Sequence, residues 1–149
     1  MTKTEYYLDI ALTVSKKSTC LKKHYGAVIV NGDEIVATGF NGSPRAEPHC
    51  KTCTKKQGKG DFDEYCSCPA VHAEMNAIIS ASRKEMLGAD LYLAGYDVRT
   101  GEEHINAWPC EICLRLIKNA GINRIINRTG LIYKRGHEGI LYCMKDKEN

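Results

Sequence analysis

No stretch of the 149 residues approaches the ~18 consecutive apolar residues that a membrane-crossing helix requires. The N-terminal segment MTKTEYYLDIALTV carries Asp9 inside its apolar run and lacks the basic start of a secretory signal, so a cytoplasmic protein is expected. Internal repeats and low-complexity tracts are lacking as well. With 43% hydrophobic and 26% charged residues, the composition excludes disordered and fibrous classes and fits one compact domain over 1–149. Charge of one sign is scarce. Twenty-one Lys and Arg against 18 Asp and Glu leave a net charge of +3, which suits an anionic small molecule and is a small excess for a nucleic-acid surface. Cysteine, by contrast, is plentiful: there are eight, with no export signal. In a reducing compartment, cysteines paired at short spacing serve as metal ligands or catalytic groups more often than as disulfides. The composition points to zinc.

Along the chain, Tyr6, Tyr7, Ile10, Ala11 and Val14 fall at the spacing of one helical face. GAVIVNGDEIVATGF reads as two strands joined at Asn31-Gly32, a strong hairpin signal. A polar stretch from Asn41 to Pro69 follows, with a Cys-rich insertion at about 46–69. So long a loop is usually functional, or tied down by something other than a core. Ala73, Ala77, Ile78 and Ala81 predict a helix from Ala70 to Met86, and ADLYLAGY a strand. Val98 to Ala107 is a polar connection. Pro109 suits a first helical residue, and Ile112, Leu116, Ile117 and Ala120 give the next helix a buried face that ends at Gly121. INRIINR is a further short strand, and LIYKRGHEGILYCM an edge strand followed by a short helix. Strands alternating with helices predict a three-layer α/β domain.

Two segments carry the chemistry: His72-Ala73-Glu74 and Pro109-Cys110-Glu111-Ile112-Cys113, each opening a predicted helix. Cys110 and Cys113 are three apart, so both sulfurs reach one ion from the same helical face. A helix N-terminus stabilises thiolates, the form that binds metal. With His72 they make three protein ligands, and a zinc site with three keeps its fourth tetrahedral position for water, as catalytic sites do. Glu74, two residues from His72, is placed to take a proton from that water and pass it on, as a general base that becomes a general acid. The order H-x-E then P-C-x-x-C is the pattern of zinc nucleobase deaminases.

The sequence resembles the cytidine deaminase superfamily, and within it the deoxycytidylate (dCMP) deaminases, from Ser18 to about Arg128. The resemblance rests on STCLKKHYGAVIVNGDEIVATGFNGSPR, VHAEMNAI and PCEICLRLIKNAGINRI. It implies a three-layer α/β/α fold with a mixed five-stranded sheet, a homo-oligomer (hexamer or dimer), and zinc-dependent hydrolysis of dCMP to dUMP and ammonia, which supplies dUMP for dTMP synthesis. In that reaction Glu74 protonates N3 while water adds to C4, then delivers a proton to the leaving amine. Asn41 matches the family asparagine that the resemblance implies holds the sugar hydroxyl, and Ala73 and Tyr133 are further candidates for the substrate site. Lys22, Lys23 and Ser18 lie before the first strand, where a 5′-phosphate needs cationic or hydroxyl partners. Many dCMP deaminases are activated by dCTP and inhibited by dTTP, with Mg²⁺ accompanying the effector. Gly39, Phe40, Gly42 and Arg45 match that nucleotide site, with Phe40 where many members have Tyr, and Arg83 is a further candidate for effector or subunit contacts.

Cys50, Cys53, Cys66 and Cys68 fall in the insertion, which has too little apolar sequence to order itself without a clip, and Cys20 lies upstream. A second, structural zinc is implied there by some members of the family. Cys20, Cys50, Cys53, Cys66 and Cys68 compete for its four places, and His49 is a substitute. Cys143 is a packed thiol. The rivals are another deaminase of the superfamily (acting on cytidine, guanine or tRNA adenosine) and a zinc-scaffolded nucleic-acid-binding module. Glu74 argues against the second, because a purely structural zinc needs no adjacent carboxylate.

Overall fold

Alternation along AVIV decides which side of the sheet each residue serves. In the computed structural model, which describes residues 1–53 and 68–136, this segment lies in strand β1 (Lys23–Asn31). Ala27 and Ile29 join one buried cluster, Val28 and Val30 another on the opposite face. β2 (Glu34–Phe40) returns antiparallel, with Asn31 opposite Glu34. The two-residue turn is Gly32-Asp33, both at positive φ (57° and 65°), so the turn centre lies one residue later than Asn31-Gly32.

Helix α1 (Lys3–Ser15) covers one face with Tyr7, Leu8 and Ala11 against Val28, Val30, Tyr92, Ala94 and Ile126. A capping box between Thr2 and Glu5 starts it. The other face is covered by α2 (Ala73–Ile79) and α4 (Glu111–Ala120), with the single turn α3 (Arg83–Met86) between them in sequence. Where one helix is expected from Ala70 to Met86, Ser82 breaks it: Ser82 and Glu85 form a second capping box that starts a new turn. β3 (Asp90–Asp97), β4 (Arg124–Asn127) and β5 (Gly130–Lys134) complete a sheet of order β2-β1-β3-β4-β5. The β3–β4 pair is parallel and the others are antiparallel. This is the expected mixed five-stranded sheet between helices.

α4 begins two residues later than Pro109 predicts. Cys110 is the N-cap, and its sulfur accepts the Cys113 N–H (3.4 Å). Its buried side is Cys113, Leu114, Ile117 and Ala120; Leu116 faces outward, since the helix turns Leu114 onto the sheet instead. The short C-terminal helix, Cys66 and Cys143 lie outside the described residues. No helix among the described residues is long and apolar enough to cross a membrane.

α2 packs tightly on the sheet at Gly39. A Cβ there would lie 2.3 Å from the Ala73 carbonyl oxygen and 2.4 Å from the Ala77 nitrogen, both backbone atoms of α2. Gly39→Ala is therefore expected to destabilise the domain by about 1–3 kcal/mol. It should also lower turnover, because α2 carries His72 and Glu74 to the site. Thermal denaturation checks this; an unchanged Tm would contradict the packing role.

Candidate active site

Two helix N-termini on the same face of the sheet bring the predicted ligands together. His72 is the N-cap of α2, Cys110 the N-cap of α4, and Cys113 lies in the first turn of α4. His72 Nδ1 is 3.5 Å from Cys110 Sγ and 3.3 Å from Cys113 Sγ. Among the described residues, these three are the group whose ligand atoms all lie within 4.8 Å of one another. Zn–N near 2.05 Å and Zn–S near 2.3 Å at a tetrahedral angle require N···S separations of about 3.6 Å, so the donor set fits zinc by spacing as well as by chemistry.

The electrostatics agree. The Cys113 thiol beside it, then His72, lower the Cys110 pKa far below the ordinary thiol range, although burial opposes this. The Cys110 thiolate, burial and Glu74 push Cys113 up. A divalent cation bound here would hold both as thiolates. Glu74 is only 5% exposed. Burial, with a smaller contribution from Cys110, raises its carboxyl pKa above the usual range, against the lowering pull of its own backbone amide, His72 and Cys113. A carboxyl group raised in this way holds its proton more readily than an exposed one, which suits a base that must also act as an acid.

A cavity of about 440 Å³ opens from this cluster, with His72, Glu74 and Cys110 among its lining and Lys22 and Lys23 also on its wall. Asn41 and Ala73 border it too. Asn41 is fixed rather than free to swing: its Oδ1 accepts the Tyr25 N–H (2.8 Å) and its Nδ2 donates to the Lys23 carbonyl (2.9 Å). One amide hydrogen and one lone pair remain for a ligand.

Several sequence expectations land elsewhere. Tyr133 is 1% exposed in the core under α4, so its ring does not border the cavity: β5 turns that side of its strand inward. Ser18 is buried, and its Oγ accepts the Cys20 N–H (3.2 Å), which shapes the turn and leaves the cavity wall to the lysines. Gly39 is occupied by α2. Gly42 exchanges backbone hydrogen bonds with Val71 (3.1 and 2.7 Å), and Phe40 and Arg45 are exposed. Arg83 donates from Nη1 to the Asn119 carbonyl (2.7 Å), tying α3 to the end of α4. None of these effector candidates borders the large cavity.

Cys20, Cys50, Cys53 and Cys68 line a second, small cavity of about 30 Å³, and all but Cys50 also border the large one. No three of these thiols close to within 4.8 Å. His49 is exposed.

The model of the cytidine and deoxycytidylate deaminase zinc-binding region matches residues 1–129. The chain belongs to this family. Among its relatives, the deoxycytidylate deaminase of Mycobacterium phage D29 is 33% identical over 128 residues, covering 82% of this chain and 91% of that protein. The deoxycytidylate deaminase of Schizosaccharomyces pombe is 31% identical over 129 residues, 83% of this chain and 36% of that longer protein. Among solved structures, the dCMP deaminase of cyanophage S-TIM5 in apo form superposes with a TM-score of 0.60 at 25% identity, covering 85% of this chain and 83% of that one. The same enzyme with dCMP and dUMP gives 0.56 at 25%, covering 85% and 82%.

The sequence did not point to two aromatic residues of the cavity wall or to one buried residue behind it. Trp108 and Tyr25 border the cavity. Asn127, wholly buried at the end of β4, donates to the Ala107 carbonyl (2.8 Å) and so holds the segment that leads to Trp108 and Cys110. The available signals were a lone Trp two residues before Cys110, and Tyr25 two residues after Lys23 on the same strand face.

Proposed function

We propose that this chain hydrolyses dCMP to dUMP and ammonia. The observation that carries this reading is the buried Glu74 beside His72, Cys110 and Cys113, in one cavity that extends to Lys22 and Lys23. Relatives named deoxycytidylate deaminase, and the cyanophage enzyme's complex with dCMP and dUMP, support it. His72, Cys110 and Cys113 would hold the zinc, which supplies Lewis-acid activation of water. Glu74 takes the proton of the attacking water and gives it to N3 as the C4–O bond forms. It then takes the hydroxyl proton and gives it to the exocyclic nitrogen, so that the C4–N bond breaks and ammonia leaves. Each proton Glu74 accepts is returned, and the sum is dCMP plus water to dUMP plus ammonia.

Lys22 and Lys23 hold the 5′-phosphate, and the remaining polar capacity of Asn41 serves a sugar hydroxyl. A second zinc takes four ligands from Cys20, Cys50, Cys53, Cys66 and Cys68. The active form is a homo-oligomer in the cytoplasm. Ile79, 76% exposed on α2, and the outward Leu116 on α4 are apolar side chains such an assembly would cover. Regulation by dCTP and dTTP with Mg²⁺ belongs to the same reading, and so does provision of dUMP for dTMP synthesis.

The test is ammonia release, or the matching ultraviolet change, with dCMP, CMP, deoxycytidine and dCTP supplied separately. Each is assayed with and without trace dCTP and Mg²⁺. Turnover confined to dCMP is expected, and loss of the phosphate should cost at least tenfold in kcat/KM, as charge-assisted contacts do. Equal turnover of deoxycytidine would remove the lysines from the site. No turnover of any of the four, at full zinc occupancy, would overturn the substrate.

A further inference from the structure

Tyr25 has no part in the proton transfers above, yet it borders the cavity. It lies directly opposite Gly95 in the β1–β3 pairing. A Cβ on Gly95 would meet the ring at 2.4 Å (Cδ1) and 2.9 Å (Cε1), so the ring occupies the space a side chain would otherwise fill. Its hydroxyl is bonded to His104 Nδ1 (2.8 Å), and the His104 N–H donates to the Gly95 carbonyl (2.7 Å). Its own N–H is held by Asn41 Oδ1. The ring is thus fixed at its tip, its face and its backbone.

Its place along the cavity follows from the strand. Lys23 and Tyr25 are two residues apart on β1, hence on the same face and roughly 6.6 Å apart. The Glu74 carboxylate is near enough for its charge to act on the phenol, second only to burial. Glu74, Tyr25 and Lys23 thus border the same cavity. In a nucleotide the sugar joins base to phosphate. A base at Glu74 with its phosphate at Lys23 puts the sugar against Tyr25.

We propose that the Tyr25 ring, fixed over Gly95 by His104, selects 2′-deoxyribose over ribose. The ring offers carbon to the sugar, and its one polar atom is already bonded to His104. A 2′-hydroxyl against the ring face would lose water and meet carbon there, whereas the 2′-methylene of a deoxyribose packs against the ring without that cost. This rests on the dCMP reading above.

The test compares kcat/KM for dCMP and for CMP in the parent, Tyr25→Phe, Tyr25→Val and Tyr25→Leu, with zinc content and Tm measured for each. The two aliphatic variants suit a strand and back each other up should one fold poorly. The parent should prefer dCMP by tenfold or more, and Val and Leu should lower that ratio by about tenfold, mainly by gaining CMP turnover. Phe, which keeps the ring, should stay within about threefold of the parent, the cost of an exposed or partly satisfied hydrogen bond. An unchanged ratio in Val and Leu overturns the proposal, as does a Phe variant as unselective as Val. A parent that uses dCMP and CMP equally overturns it while leaving the deaminase reading intact. A zinc-loaded parent that uses neither overturns both.

Discussion

Glu74→Gln is expected to lower turnover of dCMP by about 10²–10⁴-fold, the range for a positioned general acid–base group. Zinc content and thermal stability should stay near the parent's. Gln has the shape of Glu and no carboxyl proton to move, so the variant isolates proton transfer from packing. The site makes the effect large because Glu74 is buried and its carboxyl pKa is raised, first by burial and less by Cys110. Water in bulk cannot easily replace a base in that position. Metal analysis, a Tm and a steady-state assay on the same preparation decide the matter. Turnover within a few-fold of the parent would mean that another group carries the protons.

Removing a ligand should have a comparably large effect by a different route. Cys113→Ser takes away a buried sulfur that shares one site with His72 Nδ1 and Cys110. Zinc content should fall by about one per chain, activity should drop below detection, and the domain should melt earlier, since metal binding is coupled to folding. Cys50→Ser with Cys53→Ser should remove about one further zinc per chain. The thiols of Cys20, Cys50, Cys53 and Cys68 surround one small cavity but do not close on a single point, so this measurement decides whether an ion draws them in. Unchanged zinc in the double variant would show that the insertion holds none.

Local signals carried far in this chain. The hairpin was legible because Asn31-Gly32 is a strong turn signal between two apolar runs, although the turn centre falls one residue later, at Gly32-Asp33. His72, Glu74, Cys110 and Cys113 were legible because metal chemistry restricts residue types and helix geometry restricts spacing. The errors arise where tertiary context competes with local pattern. Ser82 has a capping residue's chemistry, and Glu85 three residues on completes the box, so the helix restarts there despite continuous apolar spacing. Leu114 and Leu116 are equally apolar, and only the tilt of α4 on the sheet decides which is buried. Tyr133 looked available in an edge strand, but it points under α4, near Lys118. Tyr25 owes its position to the bare Gly95 across the ladder, a pairing 70 residues distant in sequence that no window along the chain reveals.

The central claim is that water replaces the amino group at C4 of dCMP. Turnover of dCMP in water enriched in ¹⁸O tests it most directly, with dUMP read by mass spectrometry and ammonia by titration. The dUMP formed is expected to carry the heavy oxygen in proportion to its enrichment in the water, with one ammonia for each dUMP. Unlabelled dUMP, or intact dCMP after incubation with the zinc-loaded protein, would contradict it.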